Sequence, residues 1–97
     1  MGKLKELSIS LAQINDPLLI ERFLKSILTP NEIEEISARW ALVQLLDKGM
    51  SQRRISKKLG LSLCKITRGS KELKKNNSAF KEVIEIHNRI SKQRNSN

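Results

Sequence analysis

The chain has no tyrosine, and its aromatics are only Phe23, Trp40 and Phe80. Modules that grip single-stranded or RNA bases stack them on exposed rings, and so sparse a set builds no such platform. Cys64 is the one cysteine, which excludes an internal disulfide and fits a reducing compartment. His87 is the one histidine; with a single distant thiol it supplies no metal-ligand set. No apolar run nears the roughly 20 residues of a membrane span. Polar residues interrupt the opening MGKLKELSIS, so no signal-peptide core is read there. The expected setting is cytoplasmic, with no membrane partner. Neither a Ser/His/Asp arrangement, nor a Gly-rich phosphate loop, nor a carboxylate cluster can be assembled. A non-enzyme is expected.

Acidic residues are also few: 10 against 19 lysines and arginines, for a formal charge of +9. The imbalance is local. Residues 48–75 hold ten basic residues and one acid, Glu72, while the rest of the chain holds nine of each sign. The whole surplus therefore belongs to one stretch. A basic patch so confined is an electrostatic footprint for a polyanion. A solvated charged face is the bland alternative.

At 97 residues, one domain is expected. Chains this short bury a modest share of their surface, and many complete their cores by oligomerising. Leu4, Leu7, Leu11 and Ile14 recur at helical spacing, so residues 3–14 read as an amphipathic helix. Asp16-Pro17 then predicts a cap and the first residue of a second helix, 17–28. Thr29-Pro30-Asn31-Glu32 is a capping box, and the helix it starts runs to about Asp47. That helix is apolar on two sides, along Ile33, Ile36, Trp40 and Val43 and along Ala38, Leu42, Leu45 and Leu46. It is expected to be buried on both, one side against a second subunit. A final helix over 79–91 follows the turn Asn76-Asn77-Ser78, with Phe80, Val83, Ile84, His87 and Ile90 on one face. Residues 92–97 have nothing to bury and read as a disordered tail. Every element reads as helix, six in all.

Between the long helix and the last one lies MSQRRISKKLGLSLCKITRGSKELKK, residues 50–75. Ser51 and Ser62 are cap residues, Gly60 marks a sharp turn, and Ile55, Leu59, Leu61 and Ile66 are the apolar positions. Two short helices, over 51–58 and 62–75, around a Gly-centred turn predict a helix-turn-helix that places its second helix in the major groove. Lys57, Lys58, Lys74 and Lys75 suit phosphates, which position without reading sequence. Gln52, Lys65 and Thr67 suit base edges.

At LTPNE, the arginine of SARW, MSQR and KITRGS, the sequence resembles the bacterial tryptophan repressor family. The resemblance implies an all-α, six-helix, intertwined homodimer with helix-turn-helix heads. It implies a bacterial cytoplasmic repressor that binds double-stranded operator DNA of tryptophan biosynthesis or transport genes. No cofactor is required; L-tryptophan would be the small-molecule effector, as corepressor. Carried over by position, Gln52 and Arg53, with Ser56 and Lys57 on the same helix, would meet DNA. So would Leu63, Cys64, Lys65, Thr67, Arg68 and Gly69. Thr29, Arg39, Arg68, Gly69 and Glu72 would surround the ligand. The spacing from Arg39 to Met50 is one residue shorter than the family's usual one, which turns a helix face by about 100°. Glu72 replaces a small residue.

Several residues keep two readings. Arg68 is a phosphate contact or the guanidinium of an effector pocket. Arg39 faces that pocket, pairs with Glu35, or snorkels to solvent. Cys64 is a small groove-facing side chain or a redox-sensing thiol. Trp40 reads as a core residue and His87 as face-filling. Two other functions stay open: a regulator of the same family that is ungated or takes another effector, and a DNA-targeting or interaction module.

Overall fold

In the computed structural model, which describes residues 2–95, the elements are α1 (Lys3–Ala12), α2 (Pro17–Ile27), α3 (Pro30–Asp47), α4 (Gln52–Leu59), α5 (Leu63–Lys74) and α6 (Ala79–Asn95). No strand occurs among the described residues. Local chemistry explains most of the boundaries. Asp16 Oδ1 accepts from the Leu18 amide at 3.0 Å, and Pro17 fills the first helical position. Ser51, Ser62 and Ser78 accept from Arg54, Lys65 and Lys81 amides at 3.2, 3.3 and 3.2 Å. Each bond satisfies one orphan donor of a helix start.

The capping box at the start of α3 is reciprocal. The Thr29 amide donates to Glu32 Oε1 at 2.8 Å, and the Glu32 amide donates to Thr29 Oγ1 at 3.2 Å. The Thr29 backbone bond, then its side-chain bond, hold the Glu32 carboxyl below its ordinary pKa. A depressed carboxyl pKa stabilises the fold above the unfolded value, and the contribution is lost as pH falls through the folded value. Acidification below about pH 4.5 is therefore expected to fray the first turn of α3. The Thr29 amide resonance should follow the Glu32 titration in NMR; an amide shift that ignores that titration would count against the box.

Two elements differ from expectation. α1 stops at Ala12 rather than residue 14, because the Gln13 and Ile14 amides turn back to Ser10 and Leu11 carbonyls in a tighter final turn. α6 continues to Asn95, so the tail expected to be disordered from residue 92 is helical that far. Nothing in 91–95 is Gly or Pro, and extending an existing helix is cheap compared with nucleating one. Residues 96 and 97 of that expected tail lie outside the described residues.

The chain forms two compact units, residues 1–36 and 37–97, with the division inside α3. In the first unit α1 and α2 bury no residue. Leu4, Leu18, Leu19, Ile27 and Ile36 are all exposed there. Its helices are formed by caps and spacing rather than by a finished core.

The second unit has a core. Leu42 of α3, Ile55 of α4 and Ile66 of α5 form its buried cluster, ringed by Leu45, Leu46, Met50, Leu59 and Leu61. Ile55 and Ile66 are fully shielded from solvent. Burying an isoleucine contributes about 1.5–3 kcal/mol. α4 packs on α5, and α5 on α6. α6 also meets α3 through polar and aromatic contacts. Trp40 and His87 meet edge-to-face at 5.6 Å, Gln44 Nε2 and His87 Nε2 share a hydrogen bond of 3.2 Å, and Asn88 donates to Asp47 at 3.3 Å. His87 thus fills a helix–helix face, as expected, while Trp40, expected in the core, is half-buried at that same face.

Candidate nucleic-acid interface

The core fixes how α4 and α5 present themselves. Ile55 and Ile66 point inward, which leaves the basic side chains of both helices outward. Gly60 closes α4 with φ 67° and ψ 27°, a left-handed conformation that glycine adopts without penalty. Ser56 Oγ donates to the Leu61 carbonyl at 2.8 Å, which pins the turn between the helices. Thr67 Oγ1 donates to Gln52 Oε1 at 3.1 Å, a link from α5 back to the first residue of α4.

Charge placement on these helices departs from what helix stability prefers. Neither α4 nor α5 has an acid in its first turn. Arg53, Arg54 and Lys65 stand there instead, although the positive end of the helix dipole disfavours cations. Two helix starts plus three cations form a surface suited to anions. Further along, Lys57, Lys58, Arg68, Lys71, Lys74 and Lys75 are all exposed. Glu72 answers part of that charge by pairing with Lys75 at 2.7 Å.

Most of the sequence-predicted DNA residues lie on this outer side. Arg53, Lys57, Leu63, Cys64, Lys65, Thr67 and Arg68 are exposed, and Gln52 is half-buried beside Thr67. Leu63, Cys64, Thr67, Arg68 and Lys71 line one open surface along α5. Lys71 was missing from the sequence-derived set, yet it follows Cys64 and Arg68 by seven and three residues, a helical repeat that could have found it. Two candidates face elsewhere. The Ser56 hydroxyl is spent on the turn. Gly69 is buried, and a Cβ built on it would lie 3.1 Å from Leu42 Cδ2 and 3.5 Å from Leu46 Cδ1. Its lack of a side chain lets α5 approach α3 closely.

The expected ligand residues are not gathered on that surface. Of Thr29, Arg39, Arg68, Gly69 and Glu72, only Arg68 lines it. Thr29 is engaged in its capping box. Arg39 is exposed, and among the described residues it makes neither the pairing with Glu35 nor another ion pair. Glu72 is committed to Lys75.

An all-helical chain that sets cations and two capped helix starts on the outside of one helix pair falls in the class of DNA-binding proteins. The Trp repressor protein family profile matches residues 2–88. The chain belongs to the Trp repressor family. A Trp operon repressor homolog of Vibrio parahaemolyticus is 42% identical over 67 residues, covering 68% of this chain and 65% of that protein. One from Chlamydia caviae is 38% identical over 79 residues, covering 80% and 78%. One from Photobacterium profundum is 47% identical over 62 residues, covering 63% and 60%. The chain thus spans about two-thirds of the length of the first of these relatives. No solved structure matches it.

Proposed function

We propose that the chain is a homodimeric, sequence-specific repressor of the bacterial cytoplasm that binds double-stranded operator DNA, with α4–turn–α5 as its helix-turn-helix. The observation that carries this reading is the outward basic face of α4 and α5, backed by a buried Ile55–Ile66 core. In this reading α5 enters the major groove, and a second copy places its own α5 about 34 Å away, one turn of DNA. Exposed apolar side chains support the second copy: Leu18, Leu19 and Ile27 on α2, and Val83, Ile86 and Ile90 on α6. Lys57 meets phosphate, while Gln52, Lys65 and Thr67 meet base edges. Regulated genes of tryptophan biosynthesis or transport, and L-tryptophan as corepressor, follow from the family. Arg39, Arg68 and Glu72 are the proposed effector contacts. L-tryptophan gates binding only to the extent that it prefers the DNA-competent arrangement.

The test is a titration on duplexes enriched by the protein from a randomised library, against scrambled duplexes. Lys57→Ala is expected to weaken both alike, by about three- to tenfold. Lys65→Ala should narrow the gap between them. Equal losses for Lys65→Ala on both duplexes would remove its reading role. The same titration with L-tryptophan should tighten the enriched duplexes; no change there, with no heat in calorimetry, would refute the corepressor and leave DNA binding intact.

A second reading, a family member not gated by L-tryptophan, is favoured by one observation: Lys75 already pairs with the Glu72 carboxylate at 2.7 Å, so a ligand amine there would compete with an existing cation.

A further inference from the structure

Gln52 and Thr67 are 15 positions apart, on different helices, yet their side chains meet at 3.1 Å on the outward side of the basic pair. The direction of that bond has a chemical consequence. A glutamine amide offers one acceptor oxygen and two N–H donors, and a threonine hydroxyl has one proton to give. Here the hydroxyl spends its proton on Oε1. The oxygen is therefore held toward α5, and the two N–H donors of Nε2 remain. Gln52 is also the first residue of α4, just after the Ser51 cap, so its backbone is held as well.

We propose that Thr67 is a positioning residue that holds the Gln52 amide in place, here with its oxygen toward α5, so that the pair meets DNA as one pre-ordered group. An isolated glutamine reads ambiguously, because a rotation of the amide exchanges donor for acceptor. With its oxygen tied, Gln52 selects acceptor-rich edges: N7 and O6 of guanine, or O4 of thymine, over the N4 amino group of cytosine. Ordering the amide before contact also removes part of the entropic cost of doing so at the interface. The inference rests on the DNA-binding reading above and adds a specificity determinant to it.

The experiment is a double-mutant cycle on full-length protein. Thr67→Val, Thr67→Ser, Gln52→Ala and the Thr67→Val/Gln52→Ala double variant are titrated on library-enriched duplexes and on versions with each base pair permuted. Thr67→Ser keeps the hydroxyl and should bind within about threefold of wild type. Thr67→Val keeps the branched shape without the hydroxyl and should lose about tenfold on the enriched duplex. That loss should mostly vanish when Gln52 is already alanine. At one base pair, the preference of Thr67→Val should broaden to include the cytosine-bearing permutation. Thermal unfolding of Thr67→Val should match wild type, since Thr67 lies at the surface. Additive losses would overturn the pairing and give Thr67 a contact of its own. A loss equal on every permuted duplex would overturn the specificity role and assign the donor to a phosphate. Absence of wild-type binding to any duplex would overturn the DNA-binding reading itself, an outcome distinct from either of these.

Discussion

Ile66→Ala is expected to lower the unfolding free energy by about 3–4 kcal/mol, within the range for large-to-small changes in a closed core. Ile66 has no solvent exposure and lies in one cluster with Leu42 and Ile55. The substitution removes apolar contact on three helices at once. The neighbours that could collapse into the void are partly buried leucines and Met50, and most of those leucines are held in α3 and α4. A domain of this size is stable by only about 5–10 kcal/mol, so much of the total would go. Leu63→Ala on the same helix is the control. Leu63 is 54% exposed, and its truncation should change stability by about 0.5 kcal/mol or less. Urea unfolding at one fixed protein concentration would compare them; fixing it matters because any association adds to apparent stability. Similar midpoints for the two variants would mean that Ile66 does not anchor α5. The functional consequence follows from position, because Ile66 lies between Lys65 and Thr67. An α5 that loses its anchor should also lose DNA binding.

The parts of this structure that were legible in the sequence are those governed by local chemistry. Asp16, Thr29 with Glu32, Ser51, Ser62 and Ser78 all cap as read, because a cap needs only a short polar side chain two or three residues from a free amide. The left-handed turn at Gly60, φ 67°, was legible too, because glycine adopts that conformation without penalty. The end of α6 was not, since Lys92 and Gln93 carry neither a stop signal nor an apolar reason to continue. Nor was the division into two units. An apolar helical stripe says that a face wants covering and is silent about what covers it. At the site, residue type identified the outward cations but not direction. Gly69 was carried over as a contact position by the family resemblance, and Leu42 and Leu46 lie over it in a close helix packing. Ser56 looked exposed and is instead tied to Leu61. The Gln52–Thr67 bond joins residues too far apart in sequence for any local pattern to link them.

Raising monovalent salt from about 50 to 200 mM is expected to weaken DNA binding by about a thousandfold, for some six phosphate contacts per bound unit. The count follows from the outward cations. Residues 48–75 carry ten basic side chains, of which Lys48 lies outside α4 and α5, Lys65 and Arg68 are assigned in part to other roles and Lys75 is paired with Glu72. Each neutralised phosphate releases condensed counterion, which gives a slope of log affinity on log salt near −5. A slope shallower than about −2 would mean that the basic face is merely solvated, which would sink the interface itself. Single variants partition the slope. Lys57→Ala should flatten it by about one, equally on enriched and scrambled duplexes, because a phosphate contact carries no sequence information. Glu72→Gln tests the opposite direction. Its carboxylate is 41% exposed and holds Lys75 at 2.7 Å, so removing its charge frees a cation at the end of α5. The expected result is tighter binding at low salt with a steeper slope, and convergence on wild type as salt rises. If Glu72 instead served an effector's ammonium group, Glu72→Gln would leave the salt slope unchanged and abolish the response to L-tryptophan. One variant thus decides between a carboxylate that tempers the DNA-facing charge and one that belongs to a ligand site.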